Sequence, residues 1–292
     1  MEHFLELSTL VNERLDVLMP PVTTRPTRLH EAMRYSIFSG GKRFRPALFL
    51  TTAQSLDLNV EKYLSIACVF EMIHTYSLIH DDLPAFDNDD FRRGKPSNHK
   101  VFGEATAVLA GDALLTLAFQ LLADQHETLP SEPLFAVMQE ISRASGTVNA
   151  LIGGQQLDIE SEGKEVHEEI VDYIHQAKTG ALITATVKSA GFFASLDVDS
   201  SARLAGYGRN VGLVFQITDD ILDIEATTSR LGKTAGKDQK MKKATFPAIH
   251  GVEKSRKIAH ELTDEAIHRI SFLKEKGERL REIARFVLKR TY

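Results

Sequence analysis

The chain has 292 residues, is 43% hydrophobic and carries a formal net charge of -5. That length and apolar content suffice for a substantial core, as one large domain or two small ones, and the negative balance argues against general nucleic-acid binding. One cysteine, Cys68 within the apolar run Ile66-Ala67-Cys68-Val69-Phe70, excludes an intrachain disulfide framework and cysteine-based zinc sites, and reads as core. No run of about 18 apolar residues stands out, and Met1-Glu2-His3-Phe4 lacks a charged n-region followed by an apolar h-region. A reducing cytoplasm, without stable membrane insertion, is the simplest home.

In chain order, Pro20 to Thr27 reads as a loop, and Lys42-Arg43-Phe44-Arg45 is the first of three basic islands. The others are Arg92-Arg93-Gly94-Lys95 and Lys233 to Lys243, and such local positive charge on an acidic chain suggests anionic ligands. Helical periodicity predicts helices over Glu61 to His80, Glu104 to Ala123 and Ala202 to Ile224, with loops at Pro84 to His99, Asp124 to Glu132 and Thr227 to Phe246. Leu134 to Phe246 contains no proline, so long helices fit there. Ile258, Leu262, Ala266, Ile270 and Leu273 mark a further amphipathic helix. Alternating strand patterns are scarce and no βαβ punctuation recurs, so the fold class is all-α, a helical bundle with residues 1–292 as a single domain and no flexible linker.

Two acidic clusters dominate. Asp81-Asp82-Leu83-Pro84-Ala85-Phe86-Asp87 is followed about 140 residues later by Asp219-Asp220-Ile221-Leu222-Asp223, and both are embedded in apolar sequence. Burying unpaired carboxylates costs several kcal/mol, so groups placed this way need a cation. Two such sites facing one another would suit Mg²⁺ carrying a phosphorylated substrate, because Mg²⁺ keeps several waters and takes one or two carboxylates plus phosphate oxygens. Gln216, Asp219 and Asp223 share a helix face. Pro84 predicts that a helix ends at the first cluster, which puts His74, Ser77 and Asp81 on one face over about 10 Å and lets Asp87 return from the loop toward Asp81. An EF-hand starting at Asp87 fails, since its sixth position is Arg92 instead of Gly.

Gly232-Lys233-Thr234 is not a nucleotide P-loop, because Thr227 stands where that motif requires its first Gly. Gly40-Gly41-Lys42-Arg43-Phe44-Arg45-Pro46 combines backbone freedom with cations, as a diphosphate-binding loop would; a solvated helix start fits the same residues. His74 reads as a general base, a donor to an anion or a buried core histidine, and its register with Asp81 favours the donor.

Taken together, the Gly40 to Pro46 segment, His74-Thr75-Tyr76-Ser77-Leu78-Ile79-His80-Asp81-Asp82-Leu83-Pro84 and Asp87-Asn88-Asp89-Asp90-Phe91-Arg92-Arg93-Gly94-Lys95-Pro96 closely resemble the short-chain trans-prenyltransferases of the polyprenyl synthase family. The likeness is strongest to bacterial farnesyl diphosphate synthases. It continues in order through Gly111-Asp112-Ala113-Leu114-Leu115, Gly153-Gly154-Gln155, Lys178-Thr179-Gly180, Phe215 to Asp223 and Gly232 to Asp238, and spans roughly residues 28 to 250. Asn88 departs from the Asp found in many relatives.

The resemblance implies an isoprenoid synthase fold around a central deep cavity, a homodimer, and three Mg²⁺ bridging the Asp-rich motifs with substrate bound. It assigns metal binding to Asp81, Asp82, Asp87, Asp219, Asp220 and Asp223, the allylic diphosphate to Arg92, Lys178, Thr179, Gln216 and Lys233, and isopentenyl diphosphate to Lys42, Arg45, His74 and Arg93. Lys178, Thr179 and Gln216 would stabilise the allylic cation by dipoles, and the departed diphosphate would remove the final proton. Tyr76, five residues before Asp81, and its neighbour Ser77 occupy chain-length positions, where an aromatic residue favours stopping at farnesyl. Pro84-Ala85 is shared with geranylgeranyl synthases, which makes geranylgeranyl diphosphate the alternative product. Asp219, Asp220 and Asp223 argue against a cyclising terpene synthase, and retention of both motifs argues against a catalytically silent partner subunit.

Overall fold

The computed structural model describes residues 2–164, 166–225 and 245–290. Contacts divide them into two compact units, residues 2–50 with 59–134, and residues 51–58 with 135–225 and 245–290.

The first unit is built on α4, Val60–Asp81. Asn59 caps it by accepting the Glu61 N–H at 3.0 Å, and every residue from Ser65 to Ile73 is buried. A helix stretch without a solvent face has to be enclosed by neighbours. Helix α1, Glu2–Leu18, supplies Leu7, Val11 and Leu15 at four-residue steps, and the Cys68 thiol, pushed up to about 12 by burial, meets the Val11 carbonyl. Helices α2, Thr27–Ile37, and α3, Phe44–Ser55, precede α4 in the chain.

The principal partner of α4 is α6, Glu104–Asp124, which turns Ala107, Ala110, Gly111, Leu114 and Ala118 inward. Gly111 is required there: a Cβ would lie 2.2 Å from His80 Nε2, and that ring nitrogen sits 3.0 Å from the Val108 carbonyl oxygen. Helix α6 and the turn after it, Glu104–Glu127, are long and apolar enough to cross a membrane by length and composition. This corrects the expectation that no such run exists; Thr106, Asp112, Thr116 and Gln120 interrupt the run without lowering its overall hydropathy enough. The apolar content serves packing on α4 and α2.

Pro84 to His99, read from sequence as a loop, contains a two-stranded antiparallel hairpin, β1 Phe91–Arg92 and β2 Lys95–Pro96. Its turn residues Arg93 and Gly94 both have positive φ, the conformation that tight hairpins demand. Helix α5, Asn98–Phe102, follows.

In the second unit α11, Val198–Glu225, packs against α13, Val252–Arg269, and α10, Ala181–Phe193. Gly208 and Gly212 permit close backbone approach, since added Cβ atoms would stand 3.0 Å from Thr184 Cα and 2.8 Å from Gly180 Cα. The proline-free stretch is not continuous helix. Helices α7, Ser131–Ser145, α8, Leu151–Ser161, and α9, Glu168–Ile174, are separated by turns holding positive-φ Asn149 and Gly163. A π-helical turn, His175–Gly180, joins α9 to α10. The helix expected to reach Leu273 stops at Arg269, and Ile270 and Leu273 stay buried where a 3₁₀ turn is broken by Lys274 at φ 49°. Helices α12, Phe246–His250, and α14, Glu278–Lys289, complete the unit.

Tyr207 is fully buried in α11 and its hydroxyl donates to the Leu280 carbonyl at 2.7 Å. Tyr207→Phe removes that bond with almost no change in volume and is expected to cost about 1 kcal/mol, measurable as a lower urea midpoint with an unchanged m-value.

Candidate active site

In the first unit the glycine-rich loop is shaped for contact with arginine. Gly40 and Gly41 have φ of 105° and 106°, a region that L side chains avoid, and a Cβ on Gly41 would fall 2.6 Å from the Arg93 guanidinium. The Gly40 carbonyl accepts from Arg93 Nη1 at 2.6 Å and from Arg43 Nη1 at 3.2 Å. Beneath them lies Glu71, whose Oε1 accepts from Arg43 Nη1 at 2.8 Å and Arg93 Nη2 at 3.3 Å. Burial pushes the Glu71 carboxyl up, but Arg93 and Arg43 outweigh it and hold the group below the ordinary carboxylate value.

One turn along α4, His74 is held neutral, far below the usual imidazole value, first by desolvation and then by Arg45, Arg93, Arg92 and Arg43. Four guanidiniums acting on one imidazole make a strongly positive patch, which suits an anionic group. Of the residues expected to hold isopentenyl diphosphate, Arg45, His74 and Arg93 are brought into this patch, whereas Lys42 lies exposed on the loop. The buried neighbour Arg43 takes the structural position beside Glu71.

Helix α4 ends at Asp81 as expected, and the loop curls back: the Asp87 N–H donates to the Asp81 carbonyl at 2.9 Å and the Asp89 N–H to the Asp82 carbonyl at 3.2 Å. Asp87 thereby returns to Asp81. Asp82 is buried and ion-paired with Arg92, which also reaches Asp89 at 3.2 Å. Burial pushes the Asp82 carboxyl up to about 6 against the pull of Arg92. Asp81 and Asp87 are more open. On the same helix Tyr76 is buried with its ring edge-on to His80, centroids 5.8 Å apart, and the Ser77 hydroxyl donates to the His74 carbonyl at 2.9 Å.

In the second unit the π turn presents Lys178 and Thr179. Lys178 Nζ donates to Asp158 Oδ2 at 2.8 Å, and Thr179 Oγ1 donates to Gln216 Oε1 at 2.8 Å. Gln216 Nε2 in turn donates to Asp220 Oδ1 at 2.8 Å, and Asp220 Oδ2 accepts the Phe246 N–H at 3.0 Å. Three residues taken separately from sequence, Thr179, Gln216 and Asp220, thus form one chain of bonds. Asp220 and Asp223 are buried, while Asp219 is the more open carboxylate of the cluster. Arg290, to which sequence alone gives no role, donates to the Phe215 carbonyl at 2.6 Å, lies 3.7 Å from the Phe215 ring centroid and pairs with Asp219. Lys233 lies outside the described residues.

Glu71, Asp158, His175 and Arg290 escape a reading based on spacing. Asp158 alone had a local signal, three residues beyond Gly154-Gln155 on α8 and so on the same helix face as Gln155. The half-buried carboxylates Asp81 and Asp87 in the first unit, and Asp219 in the second, are hard oxygen donors of the kind that Mg²⁺ takes. Among the described residues no group of three or more acidic, His or Cys side chains converges as a complete metal cage, so phosphate oxygens and water would have to fill most of its octahedron.

Glu71→Gln leaves Arg43 and Arg93 without a buried counter-charge and is expected to cost about 3–5 kcal/mol near neutral pH. Because the folded-state carboxyl lies below its unfolded value of about 4.3, this stability is present above that pH and is lost as pH falls through the folded value. Urea midpoints taken from about pH 7 to about pH 3 should show wild type and variant converging at the acid end.

Comparison with known proteins identifies the family. Residues 26–283 match the polyprenyl synthetase family model. The chain is 43% identical over 291 residues to a geranylgeranyl diphosphate synthase of Cyanophora paradoxa, covering 99% of this chain and 96% of the relative. It is 43% identical over 281 residues to a farnesyl diphosphate synthase of Micrococcus luteus, covering 96% and 94%. The crystal structure of an FPP/GFPP synthase from Zymomonas mobilis superposes with a TM-score of 0.87 at 35% identity, over 98% of this chain and 97% of that one. Family model, relatives and structure agree that this all-α chain has the isoprenoid synthase fold and belongs to the polyprenyl synthetase family, as a trans-prenyltransferase of the short-chain prenyl diphosphate synthase group.

Proposed function

We propose that the protein condenses isopentenyl diphosphate head-to-tail with dimethylallyl diphosphate and then geranyl diphosphate, releasing one diphosphate at each step and stopping at farnesyl diphosphate. The observation that carries the choice of product is Tyr76, an aromatic side chain five residues before Asp81, buried and braced by His80. Each further buried CH₂ is worth about 0.8 kcal/mol where space exists, and a rigid ring converts that gain into a clash. Ser77 sits beside it as the second chain-length residue. Geranylgeranyl diphosphate, the product named for the Cyanophora relative, is the competing outcome.

In this reading Lys42, Arg45, His74 and Arg93 hold isopentenyl diphosphate, with Arg43 and Glu71 fixing the guanidiniums. Arg92, Lys178, Thr179, Gln216 and Lys233 serve the allylic diphosphate. Asp81, Asp82, Asp87, Asp219, Asp220 and Asp223 would serve three Mg²⁺; Asp81, Asp87 and Asp219 are half-buried, and Asp82, Asp220 and Asp223 are buried. Bound Mg²⁺ supplies neutralisation of the negative charge that develops on the departing diphosphate. Lys178 and Arg92 would each add positive charge toward that diphosphate. Thr179 and Gln216 would offer oxygen dipoles to the allylic cation. The double bond of isopentenyl diphosphate attacks that cation, and the released diphosphate takes the proton.

The unit of activity is one all-α domain over 1–292, assembled as a homodimer in the cytoplasm. Outward-facing Val108 and Leu109 on α6 support self-association, and the single buried Cys68 suits a reducing compartment.

Incubation with Mg²⁺, isopentenyl diphosphate and geranyl diphosphate, then chromatography of the dephosphorylated alcohols, should give farnesol as the main product; geranylgeraniol as the main product refutes the assignment. Tyr76→Ala should shift the same chromatogram toward longer chains. Asp81→Ala and Asp219→Ala should each lower kcat by at least about 10²-fold with an unchanged far-UV spectrum.

A further inference from the structure

We propose that His175 is a positioning residue for prenyl transfer, fixing Asp220 from inside the π turn so that Gln216 is held against Thr179. The inference rests on the reading of Thr179 and Gln216 as the residues that face the allylic cation.

Four side chains close a ring. His175 Nε2 lies 3.4 Å from Asp220 Oδ2, with both side chains almost entirely buried. Asp220 Oδ1 takes one amide proton of Gln216, and Gln216 Oε1 takes the Thr179 hydroxyl proton. His175 and Thr179 belong to the same turn, His175–Gly180, so the ring returns to its own backbone.

The chemical consequence concerns the direction of an amide. An amide side chain has a donor end and an acceptor end of nearly the same shape. Asp220 accepts only, so while it stays in place the Gln216 nitrogen must point to it and the oxygen must point to Thr179. A displaced Asp220 would let the amide rotate and present N–H, the wrong dipole for a cation. The direction of the Gln216 amide therefore depends on a fixed position for Asp220.

His175 is suited to that task. Its ring stacks on Phe246 with centroids 5.2 Å apart and planes 18° apart, and the Phe246 N–H shares the same Asp220 oxygen. Ring and carboxylate are thus held by the same neighbour, the one by stacking and the other by a backbone N–H. The surrounding backbone is closely packed: a Cβ on Gly154 would stand 2.4 Å from the Lys178 nitrogen, and one on Gly212 would stand 2.8 Å from Gly180 Cα. With the turn clamped, the side chains decide the geometry.

The test is a double-mutant cycle on the full chain, measuring kcat, KM for each diphosphate and thermal unfolding for His175→Leu, His175→Gln, Gln216→Leu and the His175→Leu/Gln216→Leu pair. His175→Leu should lower kcat by about 10- to 100-fold with both KM values within about twofold, and His175→Gln, which keeps an N–H, should recover most of the loss. In the Gln216→Leu background, His175→Leu should cost less than about twofold more. If His175→Leu does not fold, His175→Asn, too short to reach Asp220, should show the same kcat loss. Wild-type kcat in the leucine or asparagine variant, no recovery with glutamine, or losses that multiply in the pair would each overturn the role of His175. A Gln216→Leu variant with unchanged kcat would overturn the underlying reading as well, whereas a slow Gln216→Leu beside a normal His175→Leu would sink the His175 inference alone.

Discussion

Repulsion among arginines is the constraint that organises the first unit. Arg43, Arg45, Arg92 and Arg93 all act on His74, and such a gathering is affordable only because acids are buried among them. Glu71 answers Arg43 and Arg93, while Asp82 and Asp89 answer Arg92. Truncating one member of a buried set leaves the others uncompensated, so these acids hold a positive surface in position for an anion.

The second unit meets a different requirement, directed hydrogen bonding among part-buried side chains. Its answer is a π-helical turn, a local departure from α geometry that often accompanies functional sites, compressed by glycines on α8 and α11. Asp158 fixes the lysine of that turn and the Gln216–Asp220 pair fixes its threonine. Carboxylates that look equivalent in the sequence thus divide their work. Asp219, half-buried, pairs with Arg290, and Asp220 is engaged on both oxygens inside the fold.

The same division of labour explains why small residues recur near the site. Gly111 makes room for the His80 ring, which braces Tyr76, and Gly41 makes room for the Arg93 guanidinium. In each case the absence of a Cβ leaves room for a neighbouring side chain.

Much was legible from the chain alone. Hydrophobic periodicity located α4, α6 and α11 to within a residue or a few, Pro84 marked the end of α4, and the motifs around Asp81 and Asp219 pointed to the family, because these signals are local: they depend on residues three, four or five positions apart. The breaks in the proline-free region were not legible, since positive-φ Asn149 and Ser195 carry no mark in composition. Nor were the partners of the site residues. Arg93 finds Glu71 22 residues away, Lys178 finds Asp158 20 away and Arg290 finds Asp219 71 away. No spacing rule joins such pairs, because they meet only when separate helices pack and their buried charges have to be matched. The sequence therefore determined which chemical groups the protein carries and on which helices, and the tertiary structure alone decided which of them hold the others in place.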